Sequence, residues 1–470
     1  MSIPNMALAG FPEGKSPHAL TRRRLLQFGA AGVASVYAPR MLGWESVWES
    51  AVAQAAQNAA QKAIVVIFMA GGNDLLNTVV PTSGSDYPIY VSARPTLHRG
   101  LGRTAGRVVG SQTVPATGGE LAFANPLVSS AGGGDNGDPR HGFDAIYGDG
   151  MGGPGSNLAL LPGVDYMPPS LSHFVSSDYW FAGDLDALNT GWLGRYLDVY
   201  GSSTNPLQGI SIGPTINKSL RSASAPICAI ETLPDHGFAL PRGPGGLRGM
   251  IDGNRIMAGL GGIAASPGNT ELAFTRQAYQ LGTEVQAEMD SLGQPAFGSG
   301  YAPGNLGPQL QLAAYLLGAG LGTRVITINW GSFDTHGSQI DEQDRQLSEL
   351  SISLGAFLDD LNARGVGDHV TTLLFSEFGR RVIENGGQGT DHGAGGLLML
   401  AGNSVKGGFA SPFPGLRSLD PVGDLQVPTD FRSVYSSVIS DWLGGDPAQI
   451  LPSAPFPSFS RYDGTSGLFN

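Results

Sequence analysis

Runs of apolar residues recur along the chain and alternate with segments of helical periodicity. Strands are predicted at about 62–69, 158–161, 323–329, 370–376 and 396–402. Helices are predicted at about 270–292, 306–319, 339–364 and 429–443, with another beginning at Thr190. Continuous apolar runs are typical of strands that are buried on both faces of a parallel sheet. The alternation after residue 300 indicates parallel βαβ units, and therefore an α/β protein.

Acidic and histidine side chains stand directly after several of these strands, or directly before the last one. Such residues are Asp74, Asp334, His336, Glu377, Asp391 and His392. Ligand sites in open α/β sheets lie beyond the carboxyl ends of the strands, so these side chains are predicted to meet at one edge. Carboxylates gathered in an apolar site repel one another unless a cation neutralises them. The pattern therefore predicts a divalent metal site, with zinc or manganese favoured over magnesium or calcium.

Each of these residues also has an ordinary structural explanation. Asp74 could simply cap a helix that follows it. Glu377 could form an ion pair with Arg380 or Arg381, because a buried glutamate usually has a partner. In an Asp-x-His pair such as Asp334 and His336, the two side chains often only hydrogen-bond to each other. A metal site is favoured because one explanation then covers three or four strand ends.

Three further residues are candidates for catalysis. Thr190 is predicted at a helix N-terminus, which favours developing negative charge, and a metal could activate its hydroxyl as a nucleophile. A threonine is also expected there purely as a helix cap. Arg195 would lie just over a turn further on, with a packing or surface cation as the alternative. His173 is either a site residue or a core histidine.

Composition narrows the classes of partner and of site. The net charge is −12, so the protein repels nucleic acid backbones and we expect no nucleic acid partner. Cys228 is the single cysteine, which excludes an internal disulfide and a cysteine zinc site. Glycine makes up 71 of 470 residues, about twice the usual share, and predicts long loops. The segment at about 99–157 is predicted to be a loop-rich insertion.

The first 55 residues have the parts of an export signal. Arg22 and Arg23 precede Leu25 and Leu26, and a short, weakly apolar stretch follows, as in twin-arginine signals. A basic amphipathic helix on a membrane surface is the alternative. We therefore expect a signal peptide and spacer over 1–55, a single domain over 56–470 and no transmembrane segment. The twin-arginine export machinery would be a partner, and the protein would be periplasmic, exposed at the cell surface or secreted.

Taken in order, six motifs over roughly residues 60–445 resemble a known bacterial family. They are Gly71-Gly72-Asn73-Asp74-Leu75-Leu76-Asn77, Thr190-Gly191-Trp192-Leu193-Gly194-Arg195, Asp334-Thr335-His336-Gly337, Ser376-Glu377-Phe378-Gly379-Arg380, Thr390-Asp391-His392-Gly393 and Thr429-Asp430-Phe431-Arg432. The family consists of twin-arginine-exported, sulfatase-like proteins of the alkaline phosphatase superfamily and is catalogued as a domain of unknown function. The resemblance implies a three-layer sandwich with a mainly parallel central sheet, helices on both faces and long glycine-rich loops.

The resemblance also implies roles for the motif residues. Asp334, His336 and His392 would bind one metal, while Asp74, Glu377 and the oxygen of the nucleophile Thr190 would bind the other. The chain has Ser376-Glu377 where the superfamily commonly has an Asp-His pair, and Leu171 where relatives tend to have Arg. Cys228 lies outside any Cys-x-Pro-x-Arg string, which disfavours a sulfatase in the strict sense.

The sequence thus predicts an exported, metal-dependent hydrolase of phosphate or sulfate esters with a threonine nucleophile. Its substrate would be a small or polymer-bound anionic ester. The alternative is a catalytically silent envelope protein that binds metal and uses the same fold for binding or assembly.

Overall fold

A computed structural model describes the chain over nine ranges. These are residues 61–99, 104–108, 120–127, 142–148, 156–186, 188–231, 297–453, 455–462 and 464–470. The predicted signal peptide and the helix predicted at 270–292 lie outside the described residues, as does much of the predicted insertion at 99–157.

The described residues form fourteen strands and eight α-helices. The strands are β1 (Ala63–Met69), β2 (Val79–Pro81), β3 (Thr104–Val108), β4 (Leu121–Ala124), β5 (Leu158–Asp165), β6 (Gly209–Ile212), β7 (Cys228–Ile230), β8 (Val325–Trp330), β9 (Val370–Phe375), β10 (Gly379–Arg380), β11 (His392–Gly393), β12 (Gly396–Ala401), β13 (Gly408–Phe409) and β14 (Thr429–Asp430). The helices are α1 (Asp86–Ala93), α2 (Phe143–Tyr147), α3 (His173–Ala182), α4 (Trp192–Tyr200), α5 (Leu306–Gly318), α6 (Gln339–Ala363), α7 (Phe431–Ser437) and α8 (Pro447–Ile450).

Nine of these strands form a mixed, mostly parallel sheet, which confirms the predicted α/β class. The strand order is β13-β5-β12-β9-β1-β8-β6-β7, and β14 pairs with β5 outside that path. Strand β1 pairs in parallel with both β8 and β9, while β12 runs antiparallel to β5 and β9. Because β12 is reversed, its first residues lie at the edge where its neighbours end.

The central strand β1 is buried on both faces, as its apolar run predicts. Val65, Ile67 and Met69 face a core that contains residues of α5 and α6. Ile64, Val66 and Phe68 belong to a second core with residues of α3, α4 and α7. Alternate side chains of a strand point to opposite faces, so a strand between two helical layers needs an apolar residue at every position.

Helix α4 begins two residues later than predicted. Gly191 is its N-cap and Trp192 its first residue, so Thr190 lies just outside the helix. A Cβ at Gly191 would overlap the carbonyl oxygen of Ser219, so this position requires glycine. Across the described ranges, no helix has the length and apolar character that a bilayer crossing demands.

Candidate metal centre

The sheet brings six of the predicted site residues together at one edge, and one of them is Glu377, which follows β9. Asp334 and His336 follow the carboxyl end of β8, and Asp391 and His392 lie immediately before β12. His173 is the first residue of α3, which follows β5. Because β12 is antiparallel to the other strands involved, the chain enters it at the same edge where β5 and β8 end.

The carboxylate of Asp334 lies at the centre of three imidazoles. Its Oδ1 atom is 3.0 Å from Nε2 of His336 and 3.0 Å from Nε2 of His392. These two nitrogens are 3.1 Å apart. Nε2 of His173 lies 3.3 Å from the other carboxylate oxygen, Oδ2. His173, Asp334 and His392 each offer a ligand atom within 4.8 Å of the others.

Hydrogen bonds at the opposite ring nitrogens assign the tautomers of His336 and His392. Nδ1 of His392 is 2.8 Å from the carbonyl oxygen of Leu171, which can only accept, so Nδ1 carries the proton. Nδ1 of His336 is 2.9 Å from Oδ1 of Asp391 and donates to that carboxylate. In the neutral form of either ring, Nε2 then has a free lone pair. Both lone pairs are directed at the cluster.

Glu377 fixes the ring of His173 in the same way. Nδ1 of His173 is 2.6 Å from Oε1 of Glu377 and donates to it. The carboxylate also accepts hydrogen bonds from the backbone nitrogens of Gly71 and Gly72, at 3.0 and 3.2 Å. The hydrogen bond to Glu377 raises the pKa of His173 above its ordinary value, and partial burial opposes that rise. Glu377 therefore supports a cluster histidine.

Arg380 is fully buried behind Asp334 and holds the surrounding loops. Its Nη2 donates to Oδ1 of Asp334 at 2.8 Å and to the carbonyl oxygens of Phe333 and Gly71. Its Nη1 donates to the carbonyl oxygen of Thr390. Partial burial raises the pKa of Asp334, but the hydrogen bond from Arg380 and its positive charge outweigh that effect and keep the pKa below its ordinary value. Asp334 is thus held as an anion.

Gly71 makes this convergence of loops sterically feasible. Its φ is +111°, and a Cβ there would overlap the backbone nitrogen of Asp334. Only glycine allows the loop after β1 to approach the loop after β8 so closely. The close approach brings the carbonyl oxygen of Gly71 to Arg380 and its N–H to Glu377.

The donor set fits a divalent metal ion by three measures. A tetrahedral ion with bonds of about 2.0 Å separates its ligand atoms by roughly 3.3 Å, close to the 3.0–3.1 Å among Asp334, His336 and His392. Metal-binding histidines usually donate their other N–H to a carboxylate or a carbonyl, as all three rings do. Nε2 of His173 is buried, yet no group within hydrogen-bonding geometry satisfies it.

Asp74 lies outside this cluster, with its carboxylate bound by other side chains. It forms a buried ion pair with Arg94, at 2.5 Å between Oδ2 and Nη1. Gln339 donates to Oδ2, and the backbone nitrogen of Leu76 donates to Oδ1. Asp74 is also the N-cap of a short 3₁₀ turn at Leu75–Asn77. Its predicted role as a metal ligand remains a prediction.

Thr190 and Arg195 contact each other at the far end of α3 from His173. Nη1 of Arg195 donates to the carbonyl oxygen of Thr190 at 2.7 Å and lies 3.3 Å from its hydroxyl. Nη2 donates to the carbonyl oxygen of Ala182, the last residue of α3. A helix of this length spans about 14 Å. The role of Thr190 as nucleophile is therefore also still a prediction.

Three residues that support the cluster are absent from the predicted set, and one of them is Arg380, whose guanidinium holds Asp334. The carbonyl of Leu171 orients His392, and the side chain of Asn385 donates to Asp391 at 3.0 Å. A backbone carbonyl has no signature in the sequence, because every residue supplies one. Asn385 has no apolar strand beside it, so the strand-end pattern does not identify it.

Fold and site together define an α/β protein with a histidine–carboxylate cluster at the carboxyl edge of its sheet. A family model described as a protein of unknown function, DUF1501, matches residues 262–412. This match supports the resemblance to a domain-of-unknown-function family over about a third of the chain. The matched segment includes Asp334, His336, Glu377, Asp391 and His392, and it excludes His173. No curated protein matches the chain.

Proposed function

We propose that the protein is a metal-dependent hydrolase of phosphate or sulfate esters. The observation that carries the proposal is the orientation of three imidazoles, whose Nδ1 protons are held by acceptors and whose Nε2 atoms are directed at Asp334. Resemblance to the alkaline phosphatase superfamily supplies the reaction class, and the α/β fold is compatible with its three-layer sandwich. Zinc or manganese suits such mixed nitrogen and oxygen ligands.

In this proposal, Asp334, His336 and His392 hold the metal, and His173 completes the set. A bound divalent ion would supply positive charge that polarises the ester and stabilises the oxygens that gain charge. Asp334 and His336 are partly exposed, which leaves an open face for the substrate. Arg380 holds Asp334 from behind, and Asp391 and Leu171 fix the rings, so the donors are ordered before the substrate binds.

We propose Ser172 as the nucleophile because of its place in the chain beside the cluster. It lies between Leu171, whose carbonyl binds His392, and His173, which faces Asp334. Ser172 is exposed, and as N-cap of α3 its side chain makes no capping hydrogen bond. Its Oγ would form a bond to phosphorus or sulfur as the bond to the ester oxygen breaks, losing its proton to solvent. The alcohol leaves with a proton, and water then hydrolyses the seryl ester. The predicted nucleophile Thr190 is the alternative.

In the second candidate function, the protein binds metal but does not hydrolyse esters. The resemblance places Asp74 and Glu377 at a second metal. In the structure Asp74 is bound by Arg94, while Glu377 is bound by backbone N–H groups and by His173. A protein with one metal and no hydrolytic activity, acting as a binding or assembly module of the envelope, is the alternative that this observation favours. The Arg22-Arg23 signal leads us to propose export by the twin-arginine route in either case.

Elemental analysis of the purified protein, followed by assays with phosphate monoesters, phosphate diesters and sulfate esters, tests the proposal. We expect about one zinc or manganese ion per chain, and turnover that a chelator abolishes and added metal restores. His336→Ala should lose the metal. His369→Ala is the matched control, because His369 precedes β9 at the opposite edge of the sheet. Metal without turnover would support the silent module, and absence of metal binding would refute both functions.

A further inference from the structure

A groove of about 810 Å³ lies between helix α1 and the segment that follows β10. Its apolar lining includes Pro88, Ile89, Ala93, Pro95, Ile383 and Leu419. A volume of this size lies within the range of pockets that bind small organic molecules. Ile383 is 63% exposed, so its side chain is open to contact by a ligand.

The charged residue of the lining is already satisfied by the protein. The carboxylate of Glu384 accepts hydrogen bonds from the backbone nitrogens of Thr96 and Leu97, at 3.0 and 2.8 Å, and from the hydroxyl of Thr96. A free carboxylate in the groove would select a cation. Because this one is bound, the groove presents mainly apolar surface, and it suits an uncharged hydrocarbon group.

The groove adjoins the candidate metal centre at Asn385. This residue lines the groove, and its Nδ2 donates to Oδ1 of Asp391 and to the carbonyl oxygen of His336, both at 3.0 Å. Asp391 in turn binds Nδ1 of His336 at 2.9 Å. Nδ2 of Asn385 is therefore within about 8 Å of Nε2 of His336. One wall of the groove thus also positions a proposed metal ligand.

We infer that this groove binds the apolar alcohol portion of the ester substrate while its anionic group lies at the metal centre. The inference rests on the proposed function and names its substrate class: phosphate or sulfate monoesters of long-chain or aromatic alcohols. Exposed apolar surface at Ile383, a lining whose single carboxylate is held by backbone donors, and a residue shared with the support of His336 are the observations that select this occupant over a charged or sugar-like one.

The test compares ethyl, butyl and octyl phosphates as substrates, and the matching alkylphosphonates as non-hydrolysable probes in calorimetry. With metal-loaded protein, each buried methylene should tighten phosphonate binding about threefold to fourfold, so octylphosphonate should bind far more tightly than ethylphosphonate. Ile383→Asn should weaken octylphosphonate binding by about tenfold or more and leave ethylphosphonate unchanged. Val422→Asn is the matched control, since Val422 is 61% exposed and lies outside the lining.

Ser92→Phe is a second variant that fills the groove from an exposed position of α1, so its effect does not depend on core stability. It should block octyl ligands and spare ethyl ligands. Equal binding of ethyl- and octylphosphonate by the unmodified protein, or an equal loss in Val422→Asn, would overturn the inference. Chain-length-dependent binding without hydrolysis of any phosphate or sulfate ester would retain the groove and refute the hydrolase. Hydrolysis that does not depend on chain length would support the hydrolase and refute the groove as the site for the alcohol portion.

Discussion

The ion pair between Asp74 and Arg94 offers a direct test of whether Asp74 serves the metal or the fold. The side chains are 2% and 0% exposed, and Nη1 of Arg94 lies 2.5 Å from Oδ2 of Asp74. Arg94 also donates to Asn77 and to the carbonyl oxygens of Arg381 and Val382. Asp74→Asn would leave the guanidinium buried with no anion beside it. Arg94→Met would leave the carboxylate in the same condition.

The expected cost is large because neither charge can reach water. Breaking a buried ion pair from one side typically destabilises a protein by about 3–5 kcal/mol, whereas replacing both partners with apolar groups is often close to neutral. Each single variant should therefore lose about 3–5 kcal/mol of unfolding free energy. The double variant Asp74→Leu/Arg94→Met should recover part of that loss, since it leaves no unpaired charge behind.

Urea denaturation followed by circular dichroism measures these free energies, and elemental analysis of the same samples counts the bound metal. We expect Asp74→Asn to keep its metal and lose stability. The opposite pattern, in which Asp74→Asn loses metal and unfolds at the urea concentration of the unmodified protein, would refute the structural role. It would also support the predicted role of Asp74 as a ligand of a second ion.

Two further variants test a buried carboxyl and the nucleophile. Burial raises the pKa of Asp165 to about 8 from 3.8, so its contribution to stability is complete below about pH 4 and is lost as the pH rises to 8. The loss amounts to about 6 kcal/mol. Urea titrations across pH should show this loss disappear in Asp165→Asn, which mimics the protonated acid, and persist in the surface control Asp178→Asn. If Ser172 is the nucleophile, Ser172→Ala should keep its metal and lose at least about 10³-fold in kcat, whereas Thr190→Ala should keep its kcat. The opposite result would identify Thr190 as the nucleophile.

Periodicity and motif order predict the sheet and the location of the cluster well, because both depend on local patterns. The apolar runs at 62–69, 323–329, 370–376 and 396–402 correspond to β1, β8, β9 and β12 within about two residues at either end. A strand buried on both faces must be apolar throughout, so its burial can be predicted from its sequence.

The partners of individual side chains follow much less from sequence. Asp74 and Asp334 both follow apolar strands, yet Arg94 binds one while three histidines surround the other. Arg94 and Asp74 are 20 residues apart, and no local sequence pattern predicts which arginine will pair with which carboxylate. The start of α4 is likewise predicted only approximately. The Thr190-Gly191 sequence predicts a helix start, but it does not predict that Ser219 approaches so closely that Gly191 becomes the N-cap.

The hydrogen bond from His392 to Leu171 joins residues 221 positions apart in the chain, and the one from His173 to Glu377 spans 204 positions. The cluster therefore cannot assemble on the ribosome until most of the polypeptide has emerged. A ligand that binds only the folded state stabilises it by mass action, so metal bound here would stabilise the contact between the early and late halves of the chain. On the twin-arginine route proposed above, the protein would be loaded before export, so metal availability in the compartment of synthesis would decide which ion it carries.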